Sequence, residues 1–166
     1  MPRDSINLYV LVLISVLGVV LVGLGGGLWG QQMPWQWQWQ HQAFEHLCHQ
    51  LPNRSIWMGG QPMAVCSRCI GIYAGFAVGW LLLPFAAYFN LSKYGQTPKF
   101  ALIIIAINAI DIVGNILGFW QNTLVSRLAL GSLLGMVIAL LFSSNFFGSI
   151  IKSMGNHHGR ITISDT

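Results

Sequence analysis

The sequence predicts an all-α, polytopic membrane protein, a bundle of four transmembrane helices whose first outer loop carries cysteine and histidine residues. Of its 166 residues, 54% are hydrophobic and only 7% are charged, whereas a soluble domain typically carries about 25% charged residues. Four apolar segments are each long enough to cross a bilayer at about 1.5 Å per residue. A chain of this length is accounted for by one integral membrane domain, residues 1–166.

The apolar runs and their interruptions set the predicted spans. The first span covers 8–29, which carries no charge and exceeds the roughly 7–15-residue apolar core of a signal peptide, so we expect a retained anchor. An outer loop, 30–61, follows, and its tryptophans alternate with glutamine, a pattern that suits the head-group interface. The other predicted spans are 62–89, 100–120 and 122–151. The tight turn near Gln121 predicts an antiparallel hairpin of the last two spans.

Glycines recur at every fourth position within three of these spans. This spacing lines one helix face with small residues and lets two backbones approach closely, which is how membrane helices commonly pack. We therefore expect a packing role for Gly71-Gly75-Gly79, Gly114-Gly118 and Gly131-Gly135.

The distribution of lysine and arginine predicts the orientation of the protein in the membrane and the kind of partner it has. With four spans, one side of the membrane carries Arg3, Lys93, Lys99, Lys152 and Arg160, and the other carries Arg54, Arg68 and Arg127. The positive-inside rule then places both termini in the cytoplasm and the Cys/His loop on the opposite side. The formal charge of +4 comes from scattered residues, so the expected partner is the lipid bilayer and not a nucleic acid.

All three cysteines lie in the first outer loop or at the head of the second span. Cys66 and Cys69 are three residues apart and share a helix face. Together with Cys48 and one histidine, they supply the four ligands of a tetrahedral zinc centre, or of an iron or copper centre. The histidine is His49, with His46 as a substitute. The sequence therefore predicts a metal site, with zinc as the expected ion.

Other interpretations of the cysteines stay open. C-x-x-C is also the spacing of dithiol redox sites. In such a site Cys66 and Cys69 would form the active disulfide, and Cys48 would take part in a mixed disulfide. Arg68 would stabilise a thiolate. The four spans resemble those of quinone-linked disulfide-forming membrane enzymes, which normally carry a second cysteine pair. A third hypothesis is an accessory subunit or assembly factor of a larger membrane complex, or a homo-oligomer. The fourth is three merely buried thiols.

Two charged residues lie within the predicted spans, Asp111 and Arg127. An ionisable group in hydrocarbon is costly unless it is paired, so we expect an Asp111–Arg127 ion pair. Asn108, Asp111 and Asn115 share a face at i, i+3 and i+7. That polar stripe is either a structural clamp or the wall of a polar cavity for a substrate, quinone or proton. The expected anion-binding residues at its mouth, next to the cysteines, are Arg54, Arg68 and Tyr73.

One signature in the chain resembles that of a known family. It comprises Cys48-His49-Gln50, Arg54-Ser55, Pro62 and Cys66-Ser67-Arg68-Cys69-Ile70-Gly71-Ile72-Tyr73-Ala74-Gly75. This resembles the prokaryotic membrane-protein family catalogued as domain of unknown function 2085, and the resemblance extends more weakly to Asp111 and to Arg127 with Gly131.

The family usually follows its third-span aspartate with glycine and a nearby glutamine, whereas this chain has Ile112 and Asn115. The resemblance implies a prokaryotic inner or thylakoid-type membrane. It also implies a single motif that joins Cys48, His49, Arg54, Cys66, Arg68, Cys69 and Tyr73, and it leaves open whether the protein is an enzyme.

Overall fold

The computed structural model describes residues 3–25, 28, 33–34, 37–88 and 98–161, and their side chains over 6–25, 28, 33–34, 37–84 and 99–142. Its elements are α1 (Arg3–Gly23), α2 (Trp39–Phe44), β1 (Trp57–Met58), β2 (Gln61–Pro62), α3 (Ser67–Tyr88), α4 (Pro98–Ile116) and α5 (Leu124–Ile161). Within this part of the chain, four helices, α1, α3, α4 and α5, are long and apolar enough to cross a membrane. The predicted class of a four-helix membrane bundle is therefore confirmed.

The first two spans differ from their predicted bounds. α1 begins at Arg3 and ends at Gly23, before a turn in which Gly25 adopts a φ of 75°. A side chain at Gly25 would also collide with the backbone of Ala64. The second span begins at Ser67 rather than at residue 62, because Pro62 pairs with Trp57 in the antiparallel β1–β2 hairpin.

The last two spans are separated by a longer turn than predicted. α4 ends at Ile116 and not at residue 120, because Gly118 turns the chain with a φ of 77°. α5 begins at Leu124, where the Thr123 hydroxyl accepts a hydrogen bond from the Ser126 backbone N–H at 3.1 Å. This is the usual arrangement of a helix N-cap. α5 runs on to Ile161, past the predicted end at residue 151.

Glycines bring α3 and α5 into backbone contact, as predicted. A methyl group added at Gly75 would overlap the backbone of Ser132, and one added at Gly135 would overlap the Ile72 carbonyl. The same holds at Gly71 against Leu128. The Gly114-Gly118 pair has a different role, because Gly114 accommodates an aromatic ring from the following turn and Gly118 forms that turn.

α1 is joined to α3 by an aromatic pair. The Tyr9 hydroxyl donates to the Trp80 carbonyl at 3.2 Å, and the Trp80 indole N–H donates to the Tyr9 carbonyl at 3.1 Å. Their rings are stacked with centroids 5.8 Å apart. Since both polar atoms find partners within the bundle, the pair is compatible with a lipid surrounding.

Several predictions concern residues outside the described part. The sidedness rests partly on Arg3, Lys93, Lys152 and Arg160, whose side chains lie outside it, and it stays a prediction. The tryptophan-rich loop includes Trp35, which is also outside the described residues. Trp37 and Trp39 are exposed, and their seat at the head-group interface stays a prediction, as does the single-domain organisation.

Candidate functional site

The outer loop folds back onto the head of α3. Its segment between β2 and α3 is deeply buried, since Met63, Ala64 and Val65 are exposed by 2%, 0% and 0%. These side chains form a core with Phe44 and Ile70. Burial of this apolar segment anchors the chain just ahead of Cys66, at the N-terminus of the second span.

Gln50 fixes the two cysteine-bearing segments to each other. Its side-chain amide donates to the His41 carbonyl at 2.6 Å and to the Ala64 carbonyl at 2.9 Å. Gln50 has a φ of 48°, a left-handed conformation that is uncommon outside glycine. The two hydrogen bonds hold this strained turn in place and set the position of Cys48 against that of Cys66.

The three cysteine sulfurs converge at this point. The Sγ atoms of Cys48, Cys66 and Cys69 all lie within 4.8 Å of one another, and all three thiols are free. The Cys66 backbone N–H donates to Cys48 Sγ at 3.2 Å, and Cys66 Sγ lies 3.3 Å from Cys69 Sγ. Sulfurs bound to one tetrahedral zinc at about 2.3 Å would be about 3.8 Å apart. The observed spacing is therefore close to that of a metal-thiolate site.

The local electrostatics favour a thiolate at Cys66. Cys66 immediately precedes α3, where the partial positive charge of the helix N-terminus stabilises anions. A hydrogen bond with Cys48, and to a smaller extent one with Cys69, lowers the pKa of the Cys66 thiol. A thiolate is the form that binds metal or attacks a disulfide.

The predicted histidine ligands do not join the three sulfurs. His49 is exposed, and the His46 side chain is 91% exposed, 3.8 Å from Glu45. The reason is local: a bond from the Cys48 N–H to the Phe44 carbonyl, 2.9 Å, turns Cys48 inward, so its neighbour His49 faces solvent. Among the described residues, the group close enough to share one metal is the three cysteines.

His41 is the buried histidine of this region, and sequence reasoning missed it. It is 2% exposed, and burial lowers the pKa of its imidazole, opposed by a hydrogen bond with the Pro62 backbone. His41, Phe44 and Cys48 follow the i, i+3, i+7 spacing of one helix face, a signal that could have identified it.

Tyr73 lies near the cysteines, against the same hydrophobic core. Like Cys66 and Cys69, it packs against the core that includes Cys48, and its ring centroid is 6.1 Å from that of Phe44. The anion-binding role expected for Tyr73 remains a prediction.

The ion pair within the bundle differs from the predicted one. Asp111 pairs with Arg68, the arginine inside the C-x-x-C sequence, and not with Arg127. The Asp111 carboxylate also accepts a hydrogen bond from the Asn122 side chain at 2.6 Å. The difference arises because Arg68 leaves the first turn of α3 toward α4, where it reaches Asp111.

Arg127 instead contacts the amide of Asn115. Its Nη2 donates to Asn115 Oδ1 at 3.4 Å, and the same oxygen accepts from the Asn122 backbone N–H at 3.2 Å. The predicted stripe thus forms a polar network through Asp111 and Asn115. Asn108 does not take part, since its amide bonds to the Ile104 carbonyl of its own helix at 3.0 Å. The alternative of a polar cavity stays a prediction.

Asn122 closes the network between α4 and α5, and sequence reasoning missed this role. It lies in the turn after α4, where it holds both Asp111 and Asn115. The sequence signal that could have identified Asn122 was its position in the turn that faces the polar stripe of α4.

Arg54 is exposed. It nevertheless lies within electrostatic range of Arg127, as do Arg68 and Cys66.

Comparison with known proteins identifies relatives. The model of a family described as predicted membrane proteins, DUF2085, matches residues 48–141. An uncharacterized protein of Methanocaldococcus jannaschii is 33% identical over 68% of this chain and 71% of its own. One of Methanothermobacter thermautotrophicus is 30% identical over 59% of this chain and 86% of its own. No solved structure matches significantly. Because the family match spans more than half of the chain and contains the three cysteines, Arg54, Arg68, Arg127 and Asp111, this chain belongs to the DUF2085 family of membrane proteins.

Proposed function

We propose that this membrane protein binds one zinc ion through Cys48, Cys66 and Cys69. The observation that supports the proposal best is the convergence of three free sulfurs within 4.8 Å of one another. These cysteines come from two segments that are 18 residues apart in the chain. Cysteine thiolates are preferred ligands of zinc, and three of them leave one tetrahedral position for a further ligand.

The open fourth position favours a reactive site over a purely structural one. Structural zinc sites are closed by four protein ligands, whereas catalytic sites keep three protein ligands and bind water or substrate at the fourth position. Because His46 and His49 are exposed and away from the sulfurs, the fourth ligand is expected to be water or an exogenous group. Three thiolates on one divalent ion would carry one net negative charge, which the neighbouring Arg127 would offset.

A second candidate is thiol–disulfide exchange, with a quinone or a protein disulfide as the electron acceptor. The 3.3 Å separation of Cys66 Sγ and Cys69 Sγ favours it. In that reaction the two thiols lose two electrons and two protons as the S–S bond forms, and the acceptor takes them up. Cys48 would be the third thiol that resolves a mixed disulfide.

The test is metal and thiol stoichiometry of the detergent-purified full chain. We expect about one zinc per chain in the wild type, its loss in Cys48→Ser, Cys66→Ser and Cys69→Ser, and its retention in the control His49→Ala. Denaturation with a chelator and no reductant should then expose three free thiols.

Each other outcome contradicts the zinc proposal. A metal-free protein with a single free thiol would establish the disulfide candidate, and quinone reduction would be assayed next. A metal-free protein with three free thiols would contradict both candidates.

A further inference from the structure

Three arginines lie together at one end of the bundle, beside the cysteines. Arg68 belongs to α3, Arg127 to α5 and Arg54 to the outer loop, and Arg127 is within electrostatic range of both others. Among the described residues, one carboxylate, that of Asp111, forms an ion pair with this group. Three guanidinium groups and one carboxylate leave an excess of two positive charges.

The cysteine site reduces this excess without removing it. A zinc ion with three thiolates, or a single thiolate without metal, carries one negative charge. One positive charge therefore remains uncompensated in either state. Arginine remains protonated in proteins, so the excess cannot be relieved by loss of a proton.

The arginines also have unused hydrogen-bond donors. The Nε atoms of Arg68 and Arg127 are buried and have no hydrogen-bond partner among the described residues. The bond from Arg127 to Asn115 is long, at 3.4 Å. A buried donor without a partner is costly, and a ligand with several oxygens would satisfy both.

The places of Arg68 and Arg127 along their helices suit contact with lipid head groups. Arg68 is the second residue of the membrane-spanning segment that begins at Ser67, and Arg127 is the fourth of the segment that begins at Leu124. At about 1.5 Å per residue, both lie within about 5 Å of their helix starts. This is the level at which phosphates of the bilayer surface are found.

We infer that Arg54, Arg68 and Arg127 bind a phosphate group, supplied by an anionic lipid head group or by a free phosphate compound. Guanidinium groups present a planar fork of N–H donors that matches phosphate oxygens. The Asp111 carboxylate holds Arg68 in place, while the Nε–H of Arg127 has no partner among the described residues and is left for the ligand. The inference does not depend on the metal, since the excess charge persists without it.

The test uses the full chain, purified in detergent and stripped of lipid. Inorganic phosphate binding is measured by calorimetry, and lipid binding by native mass spectrometry with phosphatidylglycerol or phosphatidylcholine. Arg127→Gln is the main variant, Arg127→Lys the charge-conserving one, and Lys99→Gln the matched control, because Lys99 is exposed at the far end of α4. Thermal unfolding without ligand checks that each variant is folded.

We expect the wild type and Lys99→Gln to bind alike and Arg127→Gln to bind at least about tenfold more weakly, with Arg127→Lys between them. Binding of inorganic phosphate would show that a free phosphate compound is enough to occupy the site. Binding of phosphatidylglycerol alone would show that the ligand is the head group of an anionic lipid. Equal binding by the wild type and a folded Arg127→Gln would overturn the inference. No binding of either probe would also overturn it, as would equal binding of both lipids without any binding of inorganic phosphate.

Discussion

Arg68 of α3 donates a hydrogen bond to the Asp111 carboxylate of α4, across 43 residues of sequence. Their side chains are 20% and 14% exposed, so the ion pair is largely removed from solvent. Because Arg68 stands between Cys66 and Cys69, this contact ties the cysteine turn to the third span. The position of the candidate metal site therefore depends on a helix that contributes no sulfur to it.

Asp111→Asn should destabilise the bundle, because it leaves the buried Arg68 guanidinium without its counter-charge. Breaking one side of such a pair typically costs about 3 kcal/mol. The measurement is the free energy of unfolding in a denaturing-detergent titration. Glu45→Gln is the control, since its carboxylate is 59% exposed, and it should change the stability little. Equal effects of the two variants would show that the Arg68–Asp111 pair is not stabilising.

Gly75→Ala should separate α3 from α5, because the added methyl group meets the Ser132 backbone, which cannot move aside as a flexible side chain would. Overpacking of this kind costs about 1–3 kcal/mol. Gly18→Ala is the matched control, since nothing in the structure lies within 4 Å of the added methyl group. It should be neutral or stabilising by up to about 1 kcal/mol. Thermal unfolding in detergent measures both, and a stable Gly75→Ala would refute the close backbone contact.

Gln50→Ala should loosen the outer loop, because it removes the bonds to the His41 and Ala64 carbonyls while the residue keeps its left-handed conformation. We expect zinc to dissociate about tenfold faster from this variant when a chelator is added, the usual size of effect when a residue that positions a metal ligand is lost. Limited proteolysis should cut the loop sooner. Gln42→Ala, at an exposed position of α2, is the control. Equal rates of zinc loss from Gln50→Ala and Gln42→Ala would show that Gln50 does not hold the two cysteine-bearing segments together.

The loop should lose stability in mild acid through His41. Burial lowers its pKa, so the folded state favours the neutral imidazole and the unfolded state binds the proton more readily. The stabilising contribution is complete above the unfolded-state pKa, about 6.5, and is lost as the pH falls from there through the lowered pKa. Thermal midpoints measured from pH 7.5 to pH 5 should fall in the wild type and in His46→Gln. His41→Gln should flatten that slope, and an unchanged slope would contradict the assignment.

The fold class and the Cys66–Cys69 pair could be predicted from the sequence because both are determined locally, whereas the approach of Cys48 depends on how the outer loop folds back. Low charge and long apolar runs indicate spans, and Cys66 and Cys69 share a helix turn whatever the tertiary structure. The glycines at positions 71, 75, 131 and 135 likewise carry their packing role in their spacing.

The partners of charged and histidine side chains could not be predicted, because they depend on helix rotation. Arg127 was the expected counter-ion of Asp111, but the rotation of α3 places Arg68 there instead. His49 was expected as a ligand for its closeness to Cys48 in sequence, but adjacent residues of a turn point in opposite directions.

The central claim is a zinc ion bound by three cysteines and no histidine, and X-ray absorption at the zinc edge of the purified protein tests it most directly. We predict three sulfur scatterers at about 2.3 Å and one lighter scatterer, with a spectrum unchanged in the His46→Ala/His49→Ala double variant. A spectrum that loses imidazole scattering in the double variant, or a protein without zinc, would contradict the claim.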